Sequence, residues 1–204
     1  MENTFCLDLN LPVSIDLSEL DRLNSKILDP LQWQMHELTV DFNLNKFLEQ
    51  HSISIVHAEA FYTPPNTVTT IHNDGNQAKV KINYVFGGRG SYMQWFSDKN
   101  LNTKKIIKTT PLGTPYYEWH ADEVDVVFKA EIKQPSMVEV LSPHNVVNLT
   151  NEPRWCFSYV LADIVQTGKI DWSNLSVLDW STACNKLSKF IVGPTPQQLI
   201  GAVP

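Results

Sequence analysis

A mainly β fold of two packed antiparallel sheets, with helices only towards the chain ends, follows from three observations. From about residue 53 the chain reads as short strands rich in β-branched and aromatic residues: "ISIVHAEAFY", "VTTIH", "KVKINYVF", "SYMQWF", "EVDVVFKAEI", "SMVEVL", "HNVVNL" and "RWCFSYVLAD". Turn-forming stretches punctuate them, among them "TPPN", "GGRG", "SPH" and "TNEP". No helical segment separates the strands as βαβ units would require, so the sheets are read as antiparallel.

The elements follow in order. Before residue 53 the periodicity is helical: "DLSELDRLNSKIL" spaces Leu17, Leu20, Leu23 and Ile27 three or four residues apart, and "NLNKFLEQ" reads as a shorter helix. The eight strands of residues 53–163 make a jelly roll, a double-stranded β-helix of cupin-like form, whose intersheet space can hold a metal and a small ligand. Residues 164–204 are read as a closing helix over "VLDWSTACNKLSKF" and a Pro/Gly-rich tail, "VGPTPQQLIGAVP". With 204 residues, 43% of them hydrophobic, the chain can bury one sizeable core, so residues 1–204 are expected to form a single domain.

A formal net charge of -6 argues against an affinity built on neutralising phosphates, and Lys104, Lys105 and Lys108 read as a solvated loop. Three cysteines, Cys6, Cys156 and Cys184, are odd in number and lack C-x-x-C spacing, which indicates neither a disulfide framework nor a zinc ribbon. No segment approaches the roughly 20 apolar residues of a membrane span. A cytoplasmic protein without a membrane partner is expected.

Two His-x-Asp pairs stand out, His72–Asp74 and His120–Asp122. On an extended chain residues i and i+2 project to one side, so either pair can aim an imidazole and a carboxylate at one ion. Spacing to His144 separates them. Strands that adjoin in a jelly roll can have four others between them in sequence, which at roughly 8 to 12 residues per strand and turn needs roughly 30 to 50 residues. The stretch from Asp74 to His144 has that room and the stretch from Asp122 does not, so His72, Asp74 and His144 are the expected ligands and His120 and Asp122 surface residues. Two histidines and one carboxylate on one face leave three coordination positions open, as in non-haem Fe(II) oxygenases. Arg154 opens an otherwise apolar strand ten residues after His144. A charge entering a core needs an anionic partner, and the planar guanidinium suits a carboxylate; an ion pair with Glu152 or a rim aspartate is the alternative.

His72-x-Asp74, His144 and Arg154 resemble, in order and spacing, the H-x-D…H…R signature of the Fe(II)- and 2-oxoglutarate-dependent dioxygenases. The surrounding "HNDGNQAKVKINYVFGGRGSYMQWF" is similar to small oxygenases predicted in marine cyanophages, which implies the host cytoplasm as the setting. The resemblance implies that His72, Asp74 and His144 ligate Fe(II) and that Arg154 binds the distal carboxylate of 2-oxoglutarate. It also implies Tyr62 as a partner for that carboxylate, with Asn83 a further candidate. Dioxygen and 2-oxoglutarate would be consumed, succinate and carbon dioxide released, and a C–H bond of an unidentified substrate hydroxylated. Asp74 argues against a halogenase, in which halide takes the carboxylate's place. Many relatives carry serine where this chain has Cys156, a weaker hydrogen-bond partner, so Ser158 or Tyr62 would complete the pocket instead.

A non-enzymatic jelly-roll binding or structural module and another cupin metalloenzyme are the competing readings. His57, His36 and His51 are read as having no ligand role, and Trp95, Trp155 and Tyr159 as core residues. Residues 97–123, with Tyr116, Tyr117 and Trp119, exceed a hairpin turn and are read as a substrate-binding lid.

Overall fold

The computed structural model describes residues 5–75, 78–100, 103–110, 113, 115–133, 135–163 and 178–192. Their elements are β1 (Cys6–Asp8), α1 (Ser18–Asn24), β2 (Gln34–Glu37), α2 (Phe42–Glu49), β3 (Ile53–Thr63), β4 (Thr67–Val68), β5 (Ile71–Asn73) and β6 (Val80–Gly87). They continue with β7 (Tyr92–Asp98), β8 (Ile106–Thr109), β9 (Pro115–Trp119), β10 (Val124–Ala130), β11 (Ser136–Glu139), β12 (His144–Asn148), β13 (Arg154–Asp163) and α3 (Trp180–Lys186). One antiparallel sheet runs β1-β11-β6-β13-β3-β2 and the other β10-β7-β12-β5-β9-β8, with β4 also on β12. This is the jelly-roll sandwich the strand pattern predicts. Among the described residues no helix is long and apolar enough to cross a membrane.

Alternation along β13 sorts the core into two layers. Trp155, Phe157, Tyr159 and Leu161 face α1, α2 and α3, where Leu23, Leu44, Leu48 and Leu187 are fully buried against them. Val160 faces the opposite way and packs between the sheets with Met93, Trp95, Val138 and Val140. That inner face also carries Arg154, Cys156 and Ser158, the residues of like parity on β13. The helices are fastened locally: Asp41 caps α2 by accepting from the Leu44 amide, and Asp179 caps α3 by accepting from Thr182.

The described elements depart from the sequence reading in three places. The first 52 residues are not purely helical, because β1 pairs with β11 and β2 with β3 as short edge strands. The insertion at 97–123 contributes β8 and β9, and β9 pairs directly with β5. Trp119 packs with Ile71, Phe96 and Val124 on the outer side of that sheet, and its indole N–H donates to Asp98 Oδ1 at 2.8 Å. Part of the presumed lid is therefore sheet, and it supports the strand that bears His72. The closing helix is shorter than its sequence pattern, ending in a 3₁₀ turn at Ser188–Phe190, and the tail beyond residue 192 lies outside the described residues.

Candidate metal centre

Each residue of "HNDG" does something different at the end of β5. His72 is in direct register with His144 on β12, so the two rings meet between neighbouring strands with centroids 4.7 Å apart. Asn73 points the other way, its side-chain amide donating to Leu141 O at 2.8 Å while its Oδ1 accepts from the Gly75 amide at 3.2 Å. Asp74 returns to the histidine side, its amide held by Val140 O at 3.1 Å. Gly75 turns the chain with φ +72°, and a Cβ there would lie 2.5 Å from Pro115 O, so both conformation and space demand glycine.

Hydrogen bonds fix both imidazoles. His72 Nδ1 lies 2.9 Å from Thr70 O and His144 Nδ1 3.0 Å from Ser142 O. A carbonyl only accepts, so Nδ1 carries the proton in each ring and the Nε2 lone pair is free for a metal. Both Nε2 atoms face Asp74 Oδ1, at 3.6 Å from His72 and 3.7 Å from His144. The three ligand atoms lie within 4.8 Å of one another, and among the described residues this is the one group of its kind. Two imidazole nitrogens and one carboxylate oxygen on a single side can hold a divalent transition metal with further positions open.

The carboxylate is held from behind by a residue the sequence did not single out. Lys81 Nζ contacts Asp74 Oδ2 at 2.6 Å and Glu59 Oε2 at 2.9 Å, and His57 Nε2 approaches Glu59 Oε1 at 3.3 Å. Lys81 is only 3% exposed, which would be prohibitive without these two carboxylates. Burial opposes ionisation of Asp74, but Lys81 and the two histidines outweigh it and bring its pKa down to about 2. Burial likewise works against the Lys81 cation, and Asp74 and Glu59 together raise its pKa above the ordinary lysine value.

Burial, reinforced by His72, pushes the His144 pKa down to about 4 from 6.5, against the pull of Asp74. The unfolded chain then takes up this proton first, so the metal-free fold loses stability as pH falls from 6.5 to about 4. Asp74 acts in the same direction at lower pH, its contribution disappearing as pH falls from 3.8 to about 2. Urea midpoints of the metal-free protein should fall between about pH 7 and about pH 4.5, and less steeply for His144→Asn. Equal slopes for the two proteins would show that His144 is not buried neutral.

Arg154 is 2% exposed and its Nε has no hydrogen-bond partner among the described residues. Burial lowers its pKa, and its side-chain partner is the Cys156 thiol rather than a carboxylate. The expected ion pair with Glu152 does not form, because Glu152 lies in the exposed turn before β13. Gly88, φ +52°, packs on the arginine so closely that a Cβ there would come within 2.8 Å of Arg154 Cβ. In register with Arg154 on β3 is Thr63, 1% exposed, whose hydroxyl is also without a partner. Arg154 and Thr63 thus place two unsatisfied buried donors at paired strand positions, the kind of groups that an anion can satisfy.

Tyr62 is not one of them. One residue from Thr63, it faces the helical layer, stacks edge-on with Trp155 at 5.2 Å and donates its hydroxyl to Pro30 O at 3.0 Å. Asn83 does lie on the inner face, where its Oδ1 accepts from the Ser158 hydroxyl at 2.7 Å and its Nδ2 makes a long contact of 3.9 Å to Met93 Sδ. His120 and Asp122 are exposed at the 3₁₀ turn Ala121–Glu123, away from any third ligand. Tyr116 and Glu118 on β9 share the side of His72: the Tyr116 ring meets the imidazole edge-on at 6.1 Å, and Glu118 Oε1 accepts from the Tyr116 and Thr70 hydroxyls.

No family model matches the sequence, and no curated protein matches it. Among solved structures, a variant of oxalate decarboxylase from Bacillus subtilis is similar at 10% identity and TM-score 0.27, over 65% of this chain and 27% of that one. The same decarboxylase at pH 4.6 gives 10% identity and TM-score 0.27 over 67% and 29%. A structure of oxalate oxidase gives 15% identity and TM-score 0.31 over 78% of this chain and 74% of that one. The chain spans under a third of the decarboxylase chains, and likeness at this level carries no argument about activity.

Proposed function

We propose that the protein is an Fe(II)- and 2-oxoglutarate-dependent oxygenase that hydroxylates a C–H bond of a substrate still to be identified. The observation that carries the reading is the pair of unsatisfied buried groups, Arg154 Nε and Thr63 Oγ1, on the same intersheet face as the residues behind the triad. A guanidinium buried without a carboxylate is costly, and an anionic ligand offsets that cost. A dicarboxylate whose other end chelates a metal meets both demands at once. His72, Asp74 and His144 would hold Fe(II) and Arg154 and Thr63 the distal carboxylate; Cys156 contributes a weak contact to the guanidinium and Tyr62 none. When bound, Fe(II) with 2-oxoglutarate supplies the activation of dioxygen, and the products are succinate, carbon dioxide and the hydroxylated substrate.

The chain's own residues bind, orient and shield. Thr70 and Ser142 carbonyls accept from the two Nδ1 atoms and turn both Nε2 atoms toward Asp74, while Val140 O holds the Asp74 amide and Leu141 O the Asn73 side chain. Met93, Trp95, Val138 and Val140 pack the intersheet layer beside the site and exclude water. With Fe(II) and 2-oxoglutarate in air, slow succinate formation without added substrate is expected, dependent on both. A protein that binds both and forms no succinate would instead be a binding module built on the same fold.

A further inference from the structure

Lys81 stands where it can decide how Asp74 meets a metal. Asp74 has two carboxylate oxygens, and the structure uses them differently. Oδ1 faces both histidine Nε2 atoms, while Oδ2 is engaged by the Lys81 ammonium at 2.6 Å. The ammonium has little freedom to leave: it is buried, held on its other side by Glu59 Oε2 at 2.9 Å, and lies 5.4 Å from the centre of the Phe61 ring. Glu59 is in turn fixed by His57.

We propose that Lys81 is a positioning residue that clamps Asp74 Oδ2, so that Asp74 offers a metal one oxygen and three coordination positions stay open. This rests on the metal reading of the triad. A carboxylate free to rotate can bind a divalent ion through both oxygens and would then occupy one of those positions. Two-point chelation by a cosubstrate together with dioxygen needs all three. The clamp also has a cost: a cation beside the ligand repels the metal. Lys81 therefore makes the site more open and weaker, which is the opposite of what a residue serving only to stabilise a metal site would do.

The test uses Mn(II) as probe on the full chain. Glu59→Gln and the double variant Glu59→Gln/Lys81→Met are compared, so that removing the lysine does not leave a buried glutamate unpaired. Affinity is read from free Mn(II) by electron paramagnetic resonance, and inner-sphere water from water-proton relaxation. Relative to Glu59→Gln, the double variant should bind Mn(II) about tenfold more tightly or better. Its relaxation enhancement per bound ion should fall by about one third, as three waters become two. Weaker binding in the double variant, or unchanged hydration, would overturn the clamp. Should the double variant fail to fold, Lys81→Arg gives a second measurement: a retained cation must keep the wild-type hydration number, and a lower one overturns the proposal. Absence of Mn(II) binding in the wild type would overturn the metal centre and the clamp with it, whereas wild-type binding with either failure above overturns the clamp alone.

Discussion

Replacing Arg154 with lysine is expected to weaken 2-oxoglutarate by about ten- to a hundredfold while metal binding is retained. A charge-assisted contact is worth about 1.5 to 3 kcal/mol, and a point charge cannot reproduce the two-point fork. Arg154→Met should abolish detectable 2-oxoglutarate binding, yet leave the melting temperature of the ligand-free protein equal to or above wild type. The reason is that the guanidinium is buried with only the Cys156 thiol and an unsatisfied Nε, and replacing a poorly compensated buried charge by an apolar chain is commonly neutral or stabilising. Titration calorimetry and thermal melts on the same samples check both halves. Arg154→Met that melts well below wild type while still binding 2-oxoglutarate would assign the arginine to the core.

The second large effect is at the triad. His72→Ala, Asp74→Ala and His144→Ala should each lose Fe(II) and succinate formation, since facial coordination takes one bond from each residue. His120→Ala should change neither, because His120 is exposed beside the 3₁₀ turn and is not part of the His72–Asp74–His144 group. Asp74→Ala should remain folded, as Lys81 keeps Glu59 as its counter-ion. Metal content by elemental analysis, with succinate measured on the folded variants, decides the matter; wild-type iron occupancy in all three would place the centre elsewhere.

The triad was legible in the sequence because its geometry is local or topological. The i, i+2 spacing puts His72 and Asp74 on one side whatever the partners, and the chain length between adjoining jelly-roll strands selects His144. The strand content was legible for the same reason, since β3, β6, β7, β10 and β13 carry their own periodicity. The edge strands β1 and β2 were not, because three or four residues have no period and are strands only by virtue of their neighbours β11 and β3.

Parity explains the misplaced Tyr62. Which of two successive residues faces the intersheet space depends on one residue of register, and β3 shifts register against β13 at Val160/Leu161. Nothing in "AFYTPP" fixes that choice, so the aromatic residue attracted attention while Thr63 held the position. Lys81 and Glu59 were hidden differently. In "KVKINYVF" the lysine reads as the polar side of a half-exposed strand, and its carboxylate partners become visible only when β6 and β3 flank β13 and the turn after β5 folds back onto β6.

The central claim is that one site holds a metal and a 2-oxo dicarboxylate together. Anaerobic addition of 2-oxoglutarate to the Fe(II)-loaded protein measures this directly, by the weak visible metal-to-ligand charge-transfer absorption of the chelate. The band is expected in the wild type, absent in His144→Ala, and displaced to higher 2-oxoglutarate concentration in Arg154→Lys. Wild-type protein with iron confirmed bound and no such band at saturating 2-oxoglutarate would contradict the account.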